Sequence, residues 1–162
     1  MNKKKFNTVA TGGTFDEFHI GHLALLSKAF EVANKVIVGV SSDEFAKVKG
    51  KSKLNHKYED REKYLREMIQ LKFGGDANYI IVKLDTEFGP AVTNNSGVEA
   101  LIASTETACK GIELNKIRAQ NSLNPVEIVT VSIVHADDGS PVSSTRIRNG
   151  EIDSEGKIVK SK

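Results

Sequence analysis

The sequence predicts an α/β domain in which a parallel sheet carries helices on both faces. Three observations lead there. Short runs rich in β-branched residues alternate along the chain with segments of helical periodicity. The clearest run, residues 36–40, is apolar without polar alternation, as a strand buried on both faces must be. The unusual polar residues gather in the segments that follow the strands, where open parallel sheets hold their ligands.

The elements follow in order. Residues 8–11 form a first strand ending at Gly12 and Gly13. Residues 21–33 have helical spacing, with Leu23, Leu26 and Phe30 on one face and Leu25, Ala29 and Val32 beside them. The second strand, 36–40, is bounded by Asn34 and Ser41. A second helix covers 58–71, with Leu65, Met68, Ile69 and Leu71 inward, and Gly74 and Gly75 end it. Residues 79–82 form a third strand and Leu101 and Ile102 sit in a weaker fourth. Residues 105–120 are helical despite Gly111, 126–134 form the fifth strand, and Ser143 caps a last short helix reaching Arg148. The expectation is one domain over 1–162 with a core of 7–156 and a flexible tail of 157–162.

Composition fits this plan. A chain of 162 residues, 39% hydrophobic and 27% charged, can bury a core without metal or disulfide staples. No apolar run is long enough to cross a bilayer. Lys3, Lys4 and Lys5 make a basic start, but Thr11, Gly12, Gly13 and Asp16 interrupt the apolar residues that follow, so no signal peptide is expected. Cys109 is the single cysteine, which excludes an internal disulfide and reads as a packing residue; a cytoplasmic location follows. A net charge of +2, no tryptophan and no aromatic residues interleaved with the basic cluster argue against nucleic acid as a partner. That cluster, Lys47, Lys49, Lys51, Lys53 and Lys57, is either a solvated loop or a positively charged flap over a polyphosphate.

The strongest chemical signal follows the first strand: Thr11, Gly12, Gly13, Thr14, Phe15, Asp16, Glu17, Phe18, His19, Ile20, Gly21, His22. Glycines after a strand let backbone approach a phosphate, and the next helix opens with unpaired N–H groups. Imidazoles at His19 and His22 can serve one phosphate, with Gly21 leaving room for a nucleotide against the backbone. The spacing matches neither a dinucleotide fingerprint nor a Walker A loop. A zinc pair lacks an evident third ligand nearby, so no metal ligand set is expected. His56 and His135 are read as non-catalytic, and Arg61 and Arg118 as possible helix-surface cations.

Thr14-Phe15-Asp16 followed by His19-Ile20-Gly21-His22 resembles the signature of the HIGH-motif nucleotidyltransferases. Ser143-Ser144-Thr145-Arg146-Ile147-Arg148 resembles their second nucleotide-binding motif. Phe88-Gly89-Pro90-Ala91, Thr105-Glu106-Thr107 with Asn115 and Arg118, and Gly150-Glu151-Ile152-Asp153 are similar to the archaeal phosphopantetheine adenylyltransferases. The likeness runs from about Val9 to Gly156. The chain departs from the family where Thr105 replaces the first glutamate of a Ser-Glu-Glu-Thr run, and where Phe88 replaces a tyrosine.

The resemblance implies a Rossmann-like fold and a reaction between ATP and 4′-phosphopantetheine that yields dephospho-coenzyme A and pyrophosphate. It implies catalytic roles for His22, Thr14, His19 and one of Lys47 or Lys49. ATP would be held by Gly12, Gly13, Thr14, Phe15, Asp16, His19, Gly21 and His22, and by Ser143, Ser144, Thr145, Arg146 and Arg148. The acceptor would be held by Thr14, Asp85, Gly89, Pro90, Thr105 and Glu106. Mg2+ is expected mainly on phosphate oxygens and water. Alternative readings are a related transferase acting on FMN or a polyol phosphate, and a nucleotide-binding module without catalysis.

Overall fold

The computed structural model describes residues 3–50, 53–89 and 97–159. Pro90, Ala91 and Lys51 lie outside these residues. The elements are β1 (Phe6–Gly13), α1 (Ile20–Val32), β2 (Ala33–Ser41), α2 (Asp43–Val48), α3 (Tyr58–Phe73), β3 (Tyr79–Leu84), β4 (Ala100–Ser104), α4 (Lys110–Gln120), β5 (Glu127–Val131) and α5 (Ser144–Arg148). The five strands lie in the order β3-β2-β1-β4-β5, and every neighbouring pair is parallel. The chain builds outward from β1 on one side, then crosses back to begin again at β4. The switch point therefore lies between the carboxyl ends of β1 and β4, where the connections diverge and a crevice opens.

Alternation along the strands divides the core. Val36, Val38 and Val40 share a face with Val9, Ala100 and Ile102, covered by Leu26 and Ala29 of α1 and Leu65 and Ile69 of α3. Ala10 and Ile37 point to the other face, packed with Leu114 of α4. Helices thus cover both faces, as the uninterrupted apolar run of β2 requires. A smaller cluster of Ala136, Val142 and Ile152 packs with Ile20, Val134 and Ile147, fastening the last quarter of the chain to the start of α1. There the Ile20 N–H donates to the Ser154 carbonyl at 2.9 Å, and Val159 N–H donates to Glu151 O at 3.0 Å, so residues 157–159 of the expected tail are hydrogen-bonded.

Several elements differ from the sequence reading. β1 is longer than 8–11 and contains Gly12 and Gly13, which pair with Gly39 and Val40. Part of the lysine-rich segment is helix: Ser42 caps α2 by accepting from the Phe45 N–H at 3.0 Å. Residues 105–109 are successive turns and not the start of a helix, with Thr107 N–H bonded to Ser104 O. β5 stops at Val131, because Val134 leaves the sheet to join the small cluster and accepts from the Val142 N–H. Leu71, expected inward, is 72% exposed in the last turn of α3, and Cys109 is exposed, not packed.

The two arginines read as surface cations are buried. Arg118 Nε donates to Asn124 O at 2.6 Å, while the Asn115 amide both donates to and accepts from the backbone of Val126, so this pair fixes the turn from α4 into β5. Arg61 has the larger role. Its guanidinium donates to Thr14 O at 2.7 Å, Ser41 O at 2.9 Å, His56 O at 3.2 Å and Asp43 Oδ1 at 2.7 Å. These acceptors belong to the ends of β1 and β2, the start of α2 and the approach to α3. Arg61→Met keeps the apolar stem but leaves the three carbonyls without this donor. It should cost about 2–4 kcal/mol in urea unfolding at neutral pH; a loss below about 0.5 kcal/mol, the range of ordinary surface changes, would contradict the role.

Candidate active site

The site starts where β1 and β2 run out of side chains. Gly12 lies beside Gly39, and a Cβ on Gly12 would stand 3.1 Å from Gly39 O. A Cβ on Gly39 would meet Leu84 Cδ1 at 2.6 Å, and one on Gly89 (φ +39°) would meet Leu84 Cδ2 at 2.5 Å. The glycines therefore seat Leu84 as a knob at the end of β3. Above it opens a cavity of about 280 Å³, with Gly12, Gly13 and Thr14 on one side, Ser41 and Lys49 on a second, and Phe88, Ser104 and Lys110 closing the rest. It sits at the switch point.

The histidines build the next part. His19 is the N-cap of α1, and its Nδ1 accepts the Gly21 N–H at 3.0 Å. His22 Nδ1 accepts the His19 N–H at 3.3 Å, so two imidazoles form the reciprocal capping box usually made by a hydroxyl and a carboxylate. A ring nitrogen that accepts carries no proton. Each neutral ring therefore bears its proton on Nε2, which becomes a donor turned away from the helix backbone. The rings stack with centroids 3.8 Å apart. Burial lowers the pKa of His19 from 6.5 to about 4, so it stays neutral at physiological pH. Phe15, buried in the left-handed region at φ 54°, supports the His22 ring at 4.7 Å. Gly21 has a steric reason as well: a Cβ there would lie 2.8 Å from His19 Cε1.

A second cavity, about 380 Å³, opens beside these rings. His19, Gly21, His22, Ser143 and Arg146 line it together with apolar walls from Val131, Ile133 and Val142. The two cavities share Leu25 and Ser104. A third, about 490 Å³, lies between Lys49 and Lys53 on one side and Thr145 and Arg148 on the other. Lys49 borders both the first and the third, whereas Lys47 is exposed on α2 and borders none of the three. Lys49 Nζ donates to Ser41 Oγ at 2.8 Å and lies 4.7 Å from the Phe45 ring centroid.

Around this core several of the residues expected to touch ligand also tie the scaffold together. The buried Asp16 carboxylate accepts from the Asn55 and His56 N–H groups and from Arg148 Nη1 at 2.7 Å. It thereby joins the lysine-rich segment to α5. Arg146 pairs with Asp138 and with Glu151, on a different side of α5 from the Arg148–Asp16 contact. Ser143 Oγ accepts the Arg146 N–H as helix cap, and Ser144 Oγ donates to Glu17 O at 3.1 Å. Thr145 Oγ1 accepts from Arg148 Nη2.

For the acceptor side the placement differs from expectation. Asp85 and Thr105 are exposed and border none of these cavities, and Glu106 borders the second cavity in place of the first. Gly89 supports Leu84. The residues that line the first cavity in their stead are Ser41, Leu84, Glu87, Thr107 and Lys110, together with the quoted Phe88. Only the rule that ligands sit just past strand ends could have singled out Ser41 and Leu84, the last residues of β2 and β3.

Comparison with known proteins agrees with this geometry. A model of the cytidylyltransferase-like family matches residues 10–150. A phosphopantetheine adenylyltransferase of Methanothermobacter thermautotrophicus is 44% identical over 160 residues, covering 98% of this chain and 93% of the relative. One from Methanosarcina barkeri is 41% identical over 155 residues, covering 94% and 93%. Among solved structures, a protein of Archaeoglobus fulgidus superimposes with a TM-score of 0.67 at 27% identity, over 76% of this chain and 88% of that one. Strand order, histidine cap and full-length similarity converge: the chain belongs to the cytidylyltransferase-like family and, within it, to the phosphopantetheine adenylyltransferases.

Proposed function

We propose that this protein transfers AMP from ATP to 4′-phosphopantetheine in the cytoplasm, giving dephospho-coenzyme A and pyrophosphate. The observation that carries the reading is the pair of imidazoles whose Nδ1 atoms are committed to the helix cap; they line a cavity that runs to the second motif and adjoins, through Leu25 and Ser104, the cavity that holds Thr14 and Lys49. An acceptor phosphate in the first and ATP in the second bring an oxyanion up to the α-phosphate.

The acceptor phosphate oxygen attacks the α-phosphorus, and the bond to the β-bridging oxygen breaks, its electrons leaving with pyrophosphate. The nucleophile is already an anion, so the protein supplies position and charge stabilisation, not a covalent intermediate. Thr14 donates its hydroxyl to the acceptor phosphate. His22 Nε2–H donates to the α-phosphate as charge moves to the bridging oxygen, and His19 Nε2–H supports it. Bordering the first and third cavities, Lys49 neutralises both approaching phosphates, which favours it over Lys47 for this role. Ser143, Thr145, Arg146 and Arg148 receive the β- and γ-phosphates. Mg2+ would accompany these phosphates and offset their charge, coordinated mainly by phosphate oxygens and water.

Turnover decides the acceptor. Purified protein with ATP should release pyrophosphate with 4′-phosphopantetheine much faster than with FMN or glycerol 3-phosphate. Phe88→Ala should raise the acceptor KM with the ATP KM unchanged, whereas Asp85→Ala should alter neither. Efficient FMN turnover without turnover of phosphopantetheine would refute the substrate.

The phosphate roles separate by kcat. His22→Ala and Lys49→Ala should each lower kcat on the order of 100-fold, as loss of a preorganised donor does, and Lys47→Ala should stay within about twofold. Equal, small effects at both lysines would return the segment to a solvated surface.

A pH dependence of stability follows from His19. Its folded pKa is depressed, so between 6.5 and about 4 the unfolded chain binds a proton that the folded state refuses. Stability is therefore full above pH 6.5 and falls as the pH drops toward 4. His19→Asn keeps a capping oxygen but not the titration. From about pH 7 to about pH 4.5 the wild type should lose on the order of 1–3 kcal/mol more than this variant in urea unfolding. Parallel losses would show that His19 does not titrate as described.

A further inference from the structure

The first cavity contains a second ammonium besides Lys49. Lys110, the first residue of α4, lines it, and so does Glu87 from the segment after β3; Lys110 Nζ and Glu87 Oε1 are 2.6 Å apart. Both side chains are partly exposed, at 44% and 33%. An ion pair so solvated contributes at most about 1 kcal/mol to folding, so the wall does not depend on it. Its larger consequence is electrostatic. One end of the cavity, at Thr14 and Lys49, accepts an anion. At the wall formed by Glu87 and Lys110 the cation is already occupied by a carboxylate belonging to the protein.

We propose that Glu87 is a specificity residue: by holding Lys110 it denies that ammonium to an acceptor whose arm ends in a carboxylate, and so restricts the cavity to phosphorylated acceptors with an uncharged arm. The proposal rests on reading this cavity as the seat of the acceptor arm. The thiol-ended arm of 4′-phosphopantetheine meets a wall without net charge. An arm that carries the same phosphate and branched, amide-bearing start but ends in a carboxylate must either compete with Glu87 for Lys110 or lie unpaired beside Glu87. Both are unfavourable, and discrimination of this kind comes from a repulsive group as much as from an attractive one.

The experiment compares 4′-phosphopantetheine with 4′-phosphopantothenate, which ends in a carboxylate, by pyrophosphate release at saturating ATP. Turnover of neither acceptor by the wild type would refute the acceptor reading itself, before Glu87 is in question. With that turnover present, the wild type should prefer the thiol-ended acceptor. Glu87→Gln frees Lys110 and should raise the ratio of kcat/KM for 4′-phosphopantothenate to that for 4′-phosphopantetheine about tenfold, the scale of one hydrogen bond to a charged group. Lys110→Gln leaves Glu87 unpaired and should move selectivity the opposite way, lowering turnover of the carboxylate-ended acceptor further. A wall that merely tied two segments together would loosen alike in both variants. Selectivity shifting the same way in both, or in neither, overturns the proposal. The ATP KM, unchanged in each variant, reports that the fold and the nucleotide side are intact, and either variant alone supplies a signed result should the other fail to fold.

Discussion

The buried guanidinium of Arg61 is the constraint on which the arrangement of the site depends. Parallel strands end in carbonyl groups that the sheet does not use, and where the chain turns away over a crevice those groups must find donors. Arg61 reaches them from α3 and binds the carbonyls of Thr14, Ser41 and His56 as well as the Asp43 carboxylate. Its planar fork of donors permits this in a way that a single ammonium could not. The position of the Thr14 hydroxyl, of Ser41 beneath Lys49 and of the segment leading into α3 are therefore set by one side chain.

A second coupling joins helix formation to chemistry. The first turn of α1 needs acceptors for its orphan N–H groups, and His19 and His22 provide them through Nδ1. The same hydrogen bonds leave the proton on Nε2 of both rings. The cap and the two Nε2 donors are thus one structure, with Phe15 against the second ring and Gly21 leaving room for the first. Burial keeps the His19 ring neutral at physiological pH, so its Nε2 donor stands on an uncharged ring.

Charge in the cleft is arranged by pairing. Arg148 is held by Asp16, Arg146 by Asp138 and Glu151, and Lys110 by Glu87. These acids keep cations oriented toward the cavities while the chain as a whole carries only +2. Asp16 also ties the lysine-rich segment to α5 through Asn55 and His56, so the two sides of the third cavity are mechanically linked.

By itself the sequence determined the fold class and, through the motif from Thr14 to His22, the family. Those features are local: the apolar run of β2 can only be a strand covered on both faces, and Thr14 to His22 keeps its spacing wherever the chain folds. The weaker fourth strand was legible only as Leu101 and Ile102, since its small residues carry little pattern, yet it pairs directly with β1 inside the sheet. What tertiary structure decided concerns residues whose roles come from partners far along the chain. Arg61 and Arg118 have the spacing of helix-surface cations, and only the carbonyls brought to them by other elements make burial favourable. Asp16 meets Arg148 across 132 positions, and Lys49 differs from Lys47 only because the end of α2 directs one toward Ser41 and leaves the other in solvent. The first cavity depends on such convergence as well, since Leu84, Glu87, Phe88 and Lys110 become neighbours only when strand ends and turns meet over the switch point, and no local spacing encodes that meeting.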